Sequence, residues 1–132
     1  MTNVLYDKGR EGILDGSISV SADTIKALLA TSAYTPNAAT HQFVSDLTGI
    51  VVRSSAFSTK TETGGVFSAA NITFSAVSGS AAAYLIIYKD TGTDSTSRLI
   101  AIIDTATGLP VTPNGGDINV SWDTGANKIF KL

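Results

Sequence analysis

Ala81-Ala82-Ala83-Tyr84-Leu85-Ile86-Ile87-Tyr88, followed ten residues on by Leu99-Ile100-Ala101-Ile102-Ile103, is the part of the chain that decides the fold. A strand with one wet face alternates apolar and polar residues. These two runs do not alternate, so each needs cover on both faces. The segment between them, from Lys89 to Arg98, is rich in Thr, Asp, Gly and Ser. The pair therefore reads as two adjacent central strands. Burying one Ile or Leu side chain is worth about 1.5–3 kcal/mol, which makes Leu85, Ile87, Leu99 and Ile102 the residues least tolerant of polar replacement.

Around this centre the chain is punctuated at short intervals. Downstream, Thr112-Pro113-Asn114-Gly115-Gly116-Asp117 is the strongest turn signal, with Pro placed to open a turn and Asn-Gly to supply positive φ. Ile118, Val120 and Trp122 then alternate with Asn119, Ser121 and Asp123. Thr124 to Asn127 turns, and Lys128 to Leu132 reads as a last strand. Upstream, strands are expected over Ile50–Ser55, Phe57–Glu62, Val66–Ala69 and Asn71–Val77, with Thr63-Gly64-Gly65 as a turn. The N-terminal third is less regular. Residues 3–15 form the best helix candidate, weakened by Gly9 and Gly12 and closed by Gly16. Ile18, Val20 and Ala22 alternate with serines as a strand would. Asp23–Thr31 reads as either a capped helix or a strand. A short helix is expected over His41–Leu47, capped by Asn37 or Thr40. Short strands separated by turns point to a mainly β, antiparallel sandwich or barrel with one or two short helices in the N-terminal third. Residues 1–132 read as one domain, with 1–17 as a possible N-terminal helix or arm.

Composition narrows the function. The chain has 132 residues, 9 basic and 11 acidic, for a net charge of −2. That balance argues against nucleic-acid binding, which relies on Lys and Arg against phosphates. It argues equally against a basic membrane-surface patch. The first residues lack the features of a signal peptide, and no apolar stretch approaches the roughly 18 residues of a membrane span. Cysteine is absent, so disulfides and thiolate chemistry are excluded. Charged residues are 15% of the chain, against about 25% in ordinary domains. Ser and Thr make up roughly a quarter of it. A surface with few long charged side chains has little side-chain entropy to lose on docking, as suits a protein that binds other proteins.

Several constellations invite chemistry. Asp90-Thr91-Gly92 and Asp123-Thr124-Gly125 repeat the turn on which aspartic proteases carry their paired carboxylates. Only seven residues follow Gly125, too few for the flap and crossing strand such an enzyme needs, and Lys89 sits where those enzymes bury an apolar residue. Asp104-Thr105 repeats the Asp-Thr pair at another turn. Both Asp-Thr-Gly triplets are expected to be corners of the fold. Asp7, Glu11 and Asp15 share one helical face, as metal ligands or a glycosidase pair would, but a solvated face explains them as well. His41 is the only histidine, with no orienting partner or nucleophile nearby in sequence, and is expected to be a polar helix residue. Trp122, Tyr84 and Tyr88 could stack a sugar or a base, yet their place in β segments favours core or subunit contact. Asn71-Ile72-Thr73 matches a glycosylation sequon inside an expected strand. The expectation is no enzyme, and no catalytic, cofactor-binding or metal-binding residue.

Three N-terminal segments, Leu5 to Glu11, Asp23 to Ala27 and Ala39 to Phe43, resemble a group of small virion proteins of tailed bacteriophages. The C-terminal half is similar to the same group at Tyr88–Thr93, Ser97–Ala101, Asp104–Asp117 and Trp122–Leu132. The resemblance implies that the Asp23 segment is extended, and it brings no catalytic or ligand-binding residue. It implies a structural role in the virion, of which a capsid decoration (cement) protein is the expected form. Such a protein would sit on the head exterior, assembling as a homotrimer and binding the major capsid protein, after passing through the host cytoplasm during assembly. The alternative is a tail, baseplate or head-to-tail connector component.

Overall fold

The structure, a computed structural model, describes residues 4–103, 111–120, 122 and 129–131. In chain order its elements are β1 (Val4–Leu5), α1 (Asp7–Asp15), β2 (Ile25–Thr31), β3 (Ile50–Arg53), β4 (Val66–Phe67), β5 (Ile72–Phe74), β6 (Ala82–Lys89), β7 (Arg98–Ile103), β8 (Ile118–Val120) and β9 (Phe130–Lys131). Single 3₁₀ turns lie at Val44–Asp46 and Thr63–Gly65. The fold is mainly β. One five-stranded antiparallel sheet runs β1-β7-β6-β2-β3, and two small ribbons pair β4 with β9 and β5 with β8. The large sheet is open, with β1 and β3 at its edges, so the arrangement is a sandwich and not a barrel.

Both apolar runs form strands, β6 and β7, paired in register from Leu85↔Ile103 to Lys89↔Arg98. β6 is the middle strand of the five, and its lack of alternation has the expected cause. Leu85 and Ile87 face one apolar layer with Ala27, Leu29, Phe57, Phe67, Ile72, Phe74 and Val120. Ile86 and Tyr88 face the other, with Tyr6, Leu28, Ala30, Tyr34, Val44 and Leu47. The ribbons cover the first face. Tyr6 and the loop from residue 32 to 47 cover the second, while Leu5, Ile13 and Ile18 pack against the first.

A bulge sets which side of β7 goes where. Ile87 pairs with Ala101 but Tyr88 pairs with Leu99, leaving Ile100 as the extra residue. Two consecutive residues opposite one shift the alternation by a step. Ile100 and Ala101 thus both serve the ribbon-side layer, while Leu99 turns to the layer of Tyr88.

Several local expectations are corrected. The helix begins at Asp7, not residue 3, because Val4 and Leu5 are drawn into pairing with Ile102 and Ala101 at the sheet edge. Its end at Asp15 and its left-handed Gly16 cap are as expected. Gly9 and Gly12 are not weaknesses of that helix. Both are buried, and a Cβ on Gly9 would stand 2.7 Å from the Leu99 carbonyl oxygen and 3.0 Å from the Ile100 Cα. Gly9 lets α1 lie directly on the β7 backbone, and Gly12 makes room for the Ile18 and Arg98 side chains. Ile18 to Ala22 is not a strand. The Asp23 carboxylate accepts from Ser19 N–H, and Ser19 O accepts from Asp23 N–H, closing a turn on itself. Asp23–Thr31 resolves as extended, with β2 running from Ile25. Phe57–Glu62 contributes one isolated bridge, Thr61 to Ser68, in place of a strand. His41–Leu47 contains a single 3₁₀ turn, since Phe43 bridges Arg98 and Val44 donates to Ser97 O. The turn at 124–127 and the Asp104 corner lie outside the described residues.

Gly9→Ala is expected to lower stability by about 1–3 kcal/mol, because the clash is with main chain that cannot rotate away. Urea denaturation measures this, and Gly16→Ala, which has open space around it but a φ of 85°, serves as the comparison for a purely conformational cost of about 1 kcal/mol.

Candidate functional site

Those described residues that suggested chemistry are distributed over the molecule, and most are engaged with its own framework. Asp90 follows the end of β6. Its Oδ2 lies 2.7 Å from Lys26 Nζ, its Oδ1 accepts from Gly92 N–H at 3.0 Å, and its own N–H donates to Thr24 O. The Lys26 ammonium holds this carboxyl below its usual range. A protease dyad instead needs one carboxyl to keep a proton near a second acid. Asp90 is a charged corner, tying the β6–β7 loop to β2. Asp123 lies outside the described residues.

A second ion pair fastens the same loop. Arg53 at the end of β3 donates to both oxygens of Asp94, at 2.6 and 2.8 Å. The two-pronged contact holds the Asp94 carboxyl low and the Arg53 guanidinium high. Inside the loop, Ser97 is fully buried, donating to Thr93 O and accepting from Thr91 N–H. The Tyr88 hydroxyl is buried beside Arg53, Asp90 and Lys26, with no hydrogen bond of good geometry among the described residues, and burial raises its pKa.

The three acids of α1 do not converge on a ligand. Asp7 pairs with Arg10 at 2.8 Å, Glu11 with Lys8 at 3.0 Å, and Asp15 accepts from Ser17 N–H at 2.8 Å. Among the described residues, no group of three His, Cys, Asp or Glu side chains is placed to hold a metal ion.

His41 is the correction of most interest. It is not a helix residue but the outer end of a hydrogen-bond chain. Tyr34 Oη lies 2.7 Å from His41 Nδ1 and 2.9 Å from Tyr6 Oη. Tyr6 immediately precedes α1, so the chain ties the start of that helix to the 34–41 loop across 28 residues of sequence. Burial pushes both tyrosine hydroxyls up, so both keep their protons. The arrangement with every proton used runs Tyr6 to Tyr34 to His41, with Nδ1 accepting. Tyr84 adds an edge-on contact to Tyr34 at 6.0 Å. Hydrophobic periodicity carried no signal for this chain, because its three members come from segments with no shared pattern.

Trp122 is half-buried. Its Nε1 donates to Ala70 O at 3.0 Å, its backbone N–H donates to Asn71 Oδ1, and its ring sits 5.5 Å from Phe57. Both polar residues of the sequon are engaged at the β5–β8 ribbon: Asn71 by Trp122, and Thr73 by Asn119 at 2.8 Å. Among the described residues, no helix is long and apolar enough to cross a membrane. No protein-family model matches the chain, and no curated protein matches it.

Tyr34→Phe should cost about 1–3 kcal/mol, since it leaves the Tyr6 donor and the His41 acceptor without their partner. Tyr6→Phe should cost less, about 1 kcal/mol, because it removes a terminal donor whose acceptor keeps its other bond. Equal values in chemical denaturation would contradict the chain as drawn.

Asp23, Asp46, Asp90 and Asp94 are all held below the usual carboxylate range by ammonium, guanidinium or backbone N–H groups. A carboxyl with a depressed folded pKa stabilises the fold above its unfolded value, about 3.9, and that contribution is lost as pH falls through the folded value. These groups therefore leave stability unchanged from about pH 8 to 5 and promote unfolding below about pH 4. Asp90→Asn should lower stability near neutrality by about 0.5–1 kcal/mol, with the gap to the wild type closing in acid. Denaturation curves at a series of pH values check this, and a gap that persists at low pH would refute the ionic account.

Proposed function

We propose that this chain is a structural protein of a tailed-bacteriophage particle, and specifically a capsid decoration protein that binds the major capsid protein on the head exterior as a homotrimer. The observation carrying this reading is the use made of the acidic side chains. Every described aspartate is committed to the fold: Asp7 and Asp94 to cations, Asp15, Asp46 and Asp117 to backbone N–H groups, and Asp23 and Asp90 to both. Polar chemistry is spent on cohesion, and much of the remaining surface is Ser, Thr and Gly. Such a surface suits broad contact with other proteins better than turnover of a small molecule. The sequence resemblance to tailed-phage virion proteins supplies the context.

The mechanism in that context is linkage. A protein that binds the mature lattice, and not its precursor, stabilises the mature form by mass action. Many copies on one shell add avidity to a modest single contact. A core buried on both sheet faces makes each copy a stiff clamp, so little binding free energy is lost to ordering on docking.

Cryo-electron microscopy of the virion that carries this chain is expected to show density for it on the head exterior, at the junctions between capsid subunits. Recombinant protein is expected to sediment as a trimer and to co-sediment with heads lacking it. Density confined to the tail or connector, with ring-shaped oligomers in solution, would replace this reading with the tail or connector one.

A further inference from the structure

We propose that Asn114 is a site of spontaneous covalent modification, deamidation through a cyclic imide, and that opening of the β5–β8 ribbon gates it. In this chemistry the backbone nitrogen of the following residue attacks the asparagine Cγ. The new N–Cγ bond forms and the nitrogen loses its proton. The Cγ–Nδ2 bond breaks and ammonia leaves with that proton. Water, the one co-reactant, then opens the ring at either carbonyl, giving aspartate or isoaspartate. Nothing is oxidised or reduced. Attack is easiest when the following residue is glycine, which has no Cβ to obstruct it. Asn114-Gly115 is the single Asn-Gly pair in the chain, and both residues are exposed to the water the second step consumes.

The folded turn withholds the nucleophile. Gly115 N–H donates to Val77 O at 2.7 Å, so the proton that the nitrogen must lose is held by that carbonyl. Asn114 Oδ1 accepts from Gly116 N–H at 2.9 Å, which restrains the side chain against the rotation that ring closure requires. Gly115 has a φ of 86°, a conformation that glycine adopts freely. Two further bonds close the same turn onto the strand end: Val77 N–H to Gly116 O at 2.9 Å, and Ala76 N–H to Asp117 Oδ1 at 2.9 Å. Reaction therefore requires the 114–117 turn to lift from residues 76–77. The isoaspartate product adds a methylene to the main chain between Asn114 and Gly115, which is incompatible with both backbone bonds to Val77. Each opening that proceeds to reaction is thereby recorded irreversibly, with one added negative charge.

The test is incubation of the full chain in mildly alkaline buffer, folded and in concentrated urea, with peptide mapping by mass spectrometry to quantify aspartate and isoaspartate at position 114. Modification in the folded protein is expected to be at least about tenfold slower than in urea, a ratio equivalent to a local opening free energy of about 1.4 kcal/mol. Asp117→Ala, which removes the clamp on Ala76, is expected to modify faster than the wild type under folding conditions. Equal rates in folded and unfolded protein, or an Asp117→Ala rate no faster than the wild type, would overturn the gate. Absence of modification at Asn114 in urea would overturn the site.

Discussion

Strand β6 has no face toward water, and the rest of the molecule is arranged around that fact. A strand projects side chains to both sides of its sheet. Leu85, Ile87, Ile86 and Tyr88 therefore require two separate apolar layers. β2 and β7 flank β6 on its two edges and satisfy its backbone groups. The ribbons and Phe57 close one layer. Tyr6, Tyr34, Val44 and Leu47 close the other. Each cover is too small to be stable alone: two-stranded ribbons of this length are marginal in water, and a nine-residue helix is below the length at which isolated helices persist. Their stability is borrowed from the sheet they cover.

The polar groups follow from the same constraint. A segment laid over a sheet must place its backbone and its polar side chains where they find partners. On the N-terminal side the Tyr6–Tyr34–His41 chain does this inside the layer, and Arg98 reaches the Lys8 carbonyl beneath α1 at 2.6 Å. At the end of the sheet the Lys26–Asp90 and Arg53–Asp94 pairs fix the loop that joins β6 to β7. These contacts account for Asp90 and Asp94 as corners of the framework.

The central pair of strands was legible because two-sided burial writes itself as an unbroken apolar run. The strong turn at 112–117 was legible for a similar reason: Pro, Asn and Gly act locally. The misreadings share the opposite character. Gly9 and Gly12 count against a helix by propensity, and only the β7 backbone beside Gly9 and the Ile18 and Arg98 side chains beside Gly12 show why nothing larger fits. The alternation of Ile18, Val20 and Ala22 is a strand pattern, but the Ser19–Asp23 turn outcompetes it. Phe57 alternates into the core without a strand partner along its length. The bulge at Ile100 has no signature within its own run. At the site level, Lys26 meets Asp90 across 64 positions, Arg53 meets Asp94 across 41, and Tyr6 meets Tyr34 across 28, beyond the reach of spacing arguments.

The most direct test of this account is native-state hydrogen exchange resolved by residue. If the two-sided burial of β6 organises the fold, the amides of Leu85, Ile86 and Ile87, with their partners in β2 and β7, exchange only through global unfolding. The amides of β5 and β8 then exchange earlier, through local opening. Exchange of the β6 amides at or before the rate of the ribbon amides would contradict it.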